Sequence, residues 1–561
     1  MLIQADTIVE ILCRRIEADG ERPALGAKRG GQFAWLNWNE VADQIAKVTA
    51  AFIHLGVKPG DRVVQLSENR TEWIIADLAI QMAGAIHVPI HAPLTGVQIA
   101  WQIRHSQAKV AFLSGPPQAA KLAALGGDCP AGVKWVSFDR CEELLAGKRV
   151  ALLSEVQTAA DMAKGIDAAC RTRKAVKSGD LITILYTSGT TGEPKGVMLT
   201  QGNLASNASA TVEAFGCAPD DVRLNFLPLS HIFARTCDLY CWLVEGSRMA
   251  VAESRETVIA DCQMVKPTHL NGVPHFYDRV YRALGEKGHQ QTPGALKATL
   301  GGAIQRCCAG GAALPDYLYD YYHTQGVPLL QGYGLSETSP VITLSSESHT
   351  RRGSCGRAID GVEVRIADDG EILTRGPHVM LGYYENPQAT AEVLQDGWLA
   401  TGDLGRLDDE GFLYITGRKK ELIVTLGGKN IAPVFLESLL TQDPLILQAM
   451  VVGDGRPFLS ALIVPNPDAL RNEILSRGIT VTSKDKVLIH PEVLYLYQQR
   501  IEERLKEVSH FEQVREFTLL SRAFSLEAGE LTPKLTLRRK EIAVHFAAEI
   551  EAMYSPLKGA P

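Results

Sequence analysis

The chain has 561 residues, a formal net charge of only -7, 46% hydrophobic and 22% charged residues. That length and balance call for several globular units and exclude the basic composition of a polynucleotide-binding protein. Eleven cysteines are scattered without CxxC pairs, Cys307 and Cys308 being the closest, so a reducing compartment is predicted, with neither a disulfide framework nor a zinc site. The N-terminal stretch carries acidic residues and no uninterrupted apolar core, and no later stretch approaches the roughly 18 apolar residues of a membrane span. The prediction is a cytoplasmic protein, at most peripheral to a membrane.

Residues 1 to about 180 alternate helix and strand signals. Asn37-Trp38-Asn39-Glu40 has the form of a capping box, and Val41, Ile45, Val48 and Phe52 follow at helical spacing until Gly56. Val63 to Leu66 reads as a strand, Trp73 to Met82 as a helix, and Ala85 to Ile90 and Lys109 to Leu113 as strands. Strands separated by helices imply βαβ crossovers and a largely parallel sheet.

Leu181 to Tyr186 and Gly196 to Thr200 read as two further strands joined by a polar loop. Thr187, Ser188, Thr190 and Thr191 supply hydroxyls, Gly189, Gly192 and Gly196 allow close backbone approach, and Lys195 adds one positive charge, a set suited to a polyphosphate. The P-loop pattern GxxxxGK[ST] does not fit, because Pro194 precedes Lys195 and Gly196 follows it. The bland reading is a surface loop.

A second α/β block follows, with a helix near Leu204 to Ala214, strands at Val222 to Leu227 and Met249 to Ala252, and a helix before Pro267. Residues 350–416 then change to short segments punctuated by Gly, Asp and Asn, predicting a small β-barrel or a twisted antiparallel unit. Beyond Lys419 lies a small α+β set: strands at Glu421 to Leu426, Gln448 to Val452 and Leu459 to Val464, one amphipathic helix through Val493, Tyr497, Ile501 and Leu505, and another through Ile542, Phe546, Ile550 and Met553. The charged segment Gly417-Arg418-Lys419-Lys420-Glu421 marks the boundary, although a solvated turn is the default for such a run.

Gln331 to Thr338, QGYGLSET, follows the apolar run Val327 to Leu330 and so sits at a strand end, where open α/β sheets bind ligands. Tyr333 between glycines can lie against a base, and Ser336 and Glu337 can meet a phosphate and its metal. Alone the signal is weak, since such a tyrosine is more often packing and such an acid more often solvated.

Taken together, seven blocks resemble the AMP-forming acyl-CoA synthetase and adenylate-forming superfamily. They are YTSGTTGEPKG at 186–196, NFLPLSHIFAR at 225–235, AGGAAL at 309–314, QGYGLSET at 331–338, TGD at 401–403, GRKKELIVTLGGKNIAP at 417–433 and GELTPKLTLRR at 529–539. The resemblance implies an α/β protein, with an N-terminal adenylation domain over residues 1–417 (two α/β subdomains and a small β-barrel) and a mobile α+β C-terminal domain over 418–561 hinged near Lys420. It implies that the loop at 187–195 handles the ATP β- and γ-phosphates with Lys195, that Thr187 and Glu337 hold Mg²⁺, and that Ser336 contacts the α-phosphate. It implies that Tyr333, beside Gly334, stacks on adenine against Gly310, Gly311 and Ala312, that Asp403 with Arg418 holds the ribose, and that His231 borders the acyl pocket.

In the reaction so implied, a carboxylate attacks the α-phosphorus of ATP, pyrophosphate leaves, and a thiol then displaces AMP. The C-terminal domain supplies a lysine to the first step and the Gly427-Gly428 turn to a thiol tunnel in the second. The last block departs from the family's usual LTPTLKLRR: Lys534 directly follows Pro533, and Thr536 stands where the lysine is usual. In an extended segment, residues two apart face the same side about 7 Å apart, so Lys534 is assigned as the adenylation lysine. The alternatives are that Arg538 or Arg539 substitutes, or that adenylation is impaired.

The LTPxLxLRR ending, the helical insertion around 466–510 and the phrases SENRTEWIIADLAIQMAGA and GYYENPQATAEVL are most similar to bacterial long-chain fatty acyl-CoA synthetases. A ligase using fatty acid, ATP and coenzyme A is therefore expected, and homodimers among long-chain relatives leave a dimer open. The competitors are a fatty acyl-AMP ligase loading a carrier protein, and a non-catalytic acyl- or nucleotide-binding protein on the same fold.

Overall fold

The computed structural model describes residues 2–141, 150–187, 194–286, 288–427, 429–479, 487–525, 527–531 and 537–555. Two large sheets dominate the N-terminal unit. The first, nine-stranded, runs in the spatial order Arg357–Ala358, Val341–Leu344, Leu329–Gly334, Arg306–Ala309, His269–Gly272, Val222–Asn225, Arg248–Val251, Pro23–Arg29, Gln32–Asn37. The second, eight-stranded, runs Gly382–Tyr383, Lys195–Thr200, Leu181–Thr187, Ile86–Ile90, Arg62–Leu66, Val110–Leu113, Lys134–Ser137, Val150–Leu152. In both, the central strands are parallel and antiparallel strands stand at the margins, as helical crossovers require.

The predicted capping box holds: the Asn37 side chain accepts from Glu40 N–H and Glu40 from Asn37 N–H, each at 2.8 Å, starting helix Trp38–His54. Trp38 then stacks on Trp242 with ring centroids 4.3 Å apart inside the core that unites the two sheets. Helix Thr71–Met82 is buried on nearly every face, as a helix covered on all sides must be. Its Asp77 is therefore a buried acid that needs partners. It has four: Arg235 Nη2 and His87 Nδ1, each 2.5 Å from Oδ1, with Gln81 Nε2 at 3.0 Å and the Tyr240 hydroxyl at 3.1 Å donating to Oδ2. Arg235 Nη1 also donates to Thr183 Oγ1 at 2.7 Å, on strand Leu181–Thr187. Burial, and then the Arg235 charge, push the His87 imidazole down to about 4 against the pull of Asp77, so it is neutral at pH 7.

Of the two forms predicted for this segment, a small β-barrel or a twisted antiparallel unit, the barrel is not formed: the strands make an open antiparallel sheet. Strands Glu363–Ile366, Glu371–Arg375, Trp398–Leu407 and Leu394–Gln395 follow one another, with Leu413–Arg418 added to the long Trp398–Leu407 strand. Closure would need the outer strands Glu363–Ile366 and Leu413–Arg418 to pair, and among the described residues they do not. The long strand instead serves three partners, shifting register at Leu404/Gly405 to do so.

The C-terminal unit is built on strands Ile446–Val452, Leu459–Pro465 and Val514–Leu519, with helix Pro491–Leu505 packed into its core through Val493, Leu496, Tyr497, Ile501 and Leu505. The predicted strand over Glu421 to Leu426 shortens to Ile423–Val424, paired with Asn430–Ile431. The predicted last helix is two, Arg539–His545 and Ala547–Tyr554, broken at Phe546 (φ -113°, ψ 30°). All four apolar positions that suggested one helix still reach a single cluster, so the break does not interrupt the apolar stripe. Among the described residues no helix is long and apolar enough to cross a membrane.

Glu530 anchors the C-terminal end of this unit. Its fully buried side chain accepts from Arg522 (2.6 and 2.8 Å) and Ser525 N–H (3.1 Å) and pairs with His545 at 2.8 Å. Hydrogen bonds from Arg522, opposed by burial, hold the Glu530 carboxyl down to about 2. A carboxyl depressed in the fold stabilises it above the ordinary carboxylate pKa and loses that contribution as pH falls from about 4.5 toward 2. With Arg522 half exposed, the contribution is about 2 kcal/mol. Glu530→Gln is therefore expected to speed hydrogen exchange of the Ser525 and Arg538 amides at neutral pH about 30-fold. It should also flatten the acid dependence of that exchange; parent-like exchange at both pH values would exclude the anchor.

Candidate active site

The two strands read on either side of the expected phosphate loop form. Leu181–Thr187 and Lys195–Thr200 pair antiparallel, with Thr187 opposite Lys195 and Tyr186 opposite Gly196. Lys195 opens a strand rather than a helix. Ser188, Gly189, Thr190, Thr191 and Gly192 lie outside the described residues, as do Gly428 and Lys534. Gly196 is required sterically: a Cβ there would stand 2.9 Å from Ile184 Cγ2 and 3.3 Å from Tyr384 Cβ. The hairpin runs directly into helix Gln201–Phe215, capped by Thr200 and Asn203, whose Asn203 and Asn207 amides hold the carbonyls of Pro377, Val379 and Val341. One helix thus ties the hairpin to both other loops of the site.

Strand Leu329–Gly334 ends at the second loop. Gln331 pairs in parallel with Ala309, while Tyr333 lies opposite Thr343 in the antiparallel direction, so this strand is where the sheet changes sense, a position suited to ligands. Gly334 admits no side chain, since a Cβ would lie 1.7 Å from the Pro340 carbonyl oxygen. Ser336 and Glu337 then open a 3₁₀ turn, Ser336–Thr338, closed by Thr338 Oγ1, which accepts from Leu335 N–H at 2.8 Å.

The residues expected to meet the ribose lie together. The Tyr333 hydroxyl donates to Asp403 Oδ2 at 2.8 Å, Arg418 Nε donates to Asp403 Oδ1 at 2.7 Å, and Asp403 and Arg418 are directly opposite in their ladder. Burial, and then the Asp403 charge, push the Tyr333 phenol far up, so it remains a donor. Each Asp403 oxygen keeps a further lone pair for a diol. Of the predicted adenine wall, Gly310 is buried, with a would-be Cβ 3.0 Å from the Phe233 ring, whereas Gly311 (φ +79°) and Ala312 are exposed. Phe233 belongs to the short helix Ile232–Ala234 capped by His231, whose Nδ1 accepts from Phe233 N–H at 3.2 Å. Phe233 thus links the two: its backbone N–H bonds His231 and its ring lies against Gly310. The His231 turn is fastened by Asn69, which donates to Leu227 O (2.6 Å) and Asn225 Oδ1 (2.8 Å) and accepts from Leu229 N–H (2.9 Å).

Glu337 meets the hairpin through Tyr383. Strand Gly382–Tyr383 pairs with the outer edge of Lys195–Thr200. The Tyr383 hydroxyl donates to Glu337 Oε1 at 2.9 Å, and Lys195 Nζ stands 4.8 Å from the Tyr383 ring centroid. Sequence reasoning missed both Asn69 and Tyr383. The phrases SENRTEW and GYYENP hold them, but nothing local to either says which distant loop it braces.

At the segment predicted to be the hinge, Lys419 Nζ binds Asp369 (2.5 Å) and Glu371 (2.8 Å) of the large unit, Glu421 lies 3.8 Å from Arg539 of the small one, and Lys420 between them is exposed. Arg539 also donates to the buried Glu437 from Nη1 (2.7 Å) and Nη2. These partners all belong to its own unit. Arg538 N–H donates to Glu530 O at 2.7 Å, and Leu537 bridges Leu531 across the segment that carries Lys534.

The profile of the AMP-binding enzyme family matches residues 12–384, and that of the AMP-binding enzyme C-terminal domain matches residues 420–558. The chain is 36% identical to the long-chain-fatty-acid–CoA ligase FadD15 of Mycobacterium bovis, over 92% of each chain. It is 28% identical to the long-chain-fatty-acid–CoA ligase ACSBG2 of Rattus norvegicus, over 98% of this chain and 93% of that one. Its fold is similar to that of the anthranilate CoA ligase AuaEII in complex with anthranoyl-AMP, with a TM-score of 0.77 at 20% identity, over 98% of this chain and 99% of that one.

Proposed function

Because the chain belongs to the AMP-binding enzyme family, we propose that it is a long-chain fatty acid–CoA ligase, making fatty acyl-CoA from fatty acid, ATP and coenzyme A through an acyl-adenylate. The 36% identity to a long-chain ligase across 92% of both chains carries this reading. The site supports it by gathering, on neighbouring strand ends, groups for each part of such an adenylate.

Adenine would lie between Tyr333 and the turn at Gly310 to Ala312, and the ribose hydroxyls would bond to Asp403, braced by Arg418. The α-phosphate would meet Ser336, and the pyrophosphate the hairpin with Lys195. The fatty carboxylate would approach past His231, whose Nδ1 accepts a backbone N–H and so leaves Nε2 as the donor. Holding the carboxylate oxygen in line with the α-phosphorus supplies most of the rate, since phosphoryl chemistry is governed by positioning and charge. The hard oxygens of Thr187 and Glu337 fit Mg²⁺. Among the described residues no three acidic or nitrogen ligands cluster into a dedicated cage, which suits an ion carried mainly by ATP phosphates. Bound there, it would offset phosphate charge as pyrophosphate departs.

The C-terminal unit would rotate about Lys420 between adenylation and thioester formation. In support, the chain's anchorage passes from the large unit at Lys419 to the small one at Glu421.

Fatty-acid-dependent exchange of pyrophosphate into ATP, followed by thioester formation with free coenzyme A over a panel of chain lengths, tests the proposal. Both activities are expected, with the highest kcat/KM for long chains. Exchange without free acyl-CoA would indicate a carrier-protein ligase, and no exchange in folded protein would refute an enzyme.

A further inference from the structure

Glu337 and Lys195 carry opposite charges within one small site, yet among the described residues no ion pair joins them. Tyr383 stands between. Its hydroxyl holds Glu337 Oε1 at 2.9 Å, and its ring faces Lys195 Nζ at 4.8 Å from the centroid. The side chain is 8% exposed. Its backbone is fixed on both sides: Tyr383 N–H donates to Thr390 Oγ1 at 2.9 Å, while Leu381 and Tyr384 N–H groups donate to Met198 O (3.0 Å) and Gly196 O (2.7 Å) on the hairpin itself. The next residue, Tyr384, points to the opposite face, toward His105, at a centroid distance of 5.7 Å.

We propose that Tyr383 is a positioning residue that keeps the metal-side carboxylate and the phosphate-side ammonium apart and separately aimed. The proposal rests on reading Glu337 as a magnesium ligand. A carboxylate with one oxygen held by a phenol keeps a fixed rotamer and presents its second oxygen. An ammonium facing an aromatic ring is held without being neutralised, so it retains its full charge for the leaving pyrophosphate. Without the phenol, Glu337 is free to swing; without the ring, carboxylate and ammonium can collapse into a salt bridge that withdraws both from ATP.

The test measures binding of the non-cleavable nucleotide α,β-methylene-ATP by calorimetry, with and without Mg²⁺ and with no fatty acid present, so no turnover is needed. Tyr383→Phe is expected to lose about tenfold of the magnesium-dependent gain in affinity, the loss of one hydrogen bond to a charged group, with metal-free binding unchanged. Tyr383→Ala is expected to weaken metal-free binding as well. Tyr384→Phe, on the same strand and the opposite face, should match the parent in both. A Tyr383→Phe protein with the full magnesium-dependent gain, when Glu337→Gln has lost it, would overturn the positioning role alone. If Glu337→Gln also keeps the gain, the metal assignment falls and the proposal falls with it.

Discussion

Lys534→Ala is expected to slow adenylation by about 10²- to 10³-fold, the cost of removing one charged donor from a transition state that develops negative charge. Thioester formation from pre-made acyl-adenylate and coenzyme A should stay within a few fold of the parent, because in the proposed cycle the lysine leaves the site before the thiol attacks. Both arginines that follow have partners: Arg539 lies with Glu437 and Glu421, and Arg538 bonds Gly529 O and Glu541. Single-turnover pyrophosphate release measures the first step and thioester release from synthetic adenylate the second. An alanine variant that adenylates at the parent rate would exclude Lys534. A loss of both steps together would point to a folding defect.

The second large effect is on stability. Arg235→Met should destabilise the large unit by about 3–5 kcal/mol, because it strands the Asp77 carboxylate without its cation in a fully buried site. All seven tryptophans lie between Trp35 and Trp398, so tryptophan fluorescence in urea reports on this unit alone. The double variant Asp77→Leu with Arg235→Met should recover much of the loss, since apolar replacement of both members of a buried pair is tolerated far better than loss of one. The pH dependence has a defined sign. In the parent, His87 is held down to about 4 by burial and by Arg235, so the fold resists protonation and weakens as pH falls below about 6.5. In Arg235→Met the repelling charge is gone and a protonated His87 can pair with Asp77. The deficit relative to the parent should therefore narrow by about 1 kcal/mol on going from pH 8 to pH 5. A deficit that is constant with pH would show that His87 and Arg235 are not coupled.

Features written in neighbouring residues were readable from the chain. The Asn37–Glu40 cap, the period of Val41 to Phe52 and the two strands around the Gly-rich loop each depend on contacts a few residues apart, and each formed. Features fixed by distant partners were not. Whether residues 350–416 close into a barrel depends on whether Glu363–Ile366 meets Leu413–Arg418, roughly fifty residues away, and alternation of apolar residues is the same in either case. The Ile542 to Met553 stripe keeps helical spacing through Phe546, so burial periodicity could not reveal the break there. Arg235 ends an apolar block as a single cation whose partner, Asp77, lies in another helix. Tyr383 likewise gives no sign in sequence of the glutamate it holds. Motif similarity could name residues expected to touch ligand, but not those that hold such residues in place.

The order Arg418, Lys419, Lys420, Glu421 has a mechanical consequence. Arg418 is at once the last rung of its ladder and the partner of Asp403, and Lys419 is clamped to Asp369 and Glu371. Torque applied at Lys420 by a swinging domain would be absorbed by that double clamp before it reached the ribose diol. The nucleotide half of the intermediate would then sit on a stationary bench while the tool above it was exchanged, and an acyl-adenylate would ride through the rotation without being loosened.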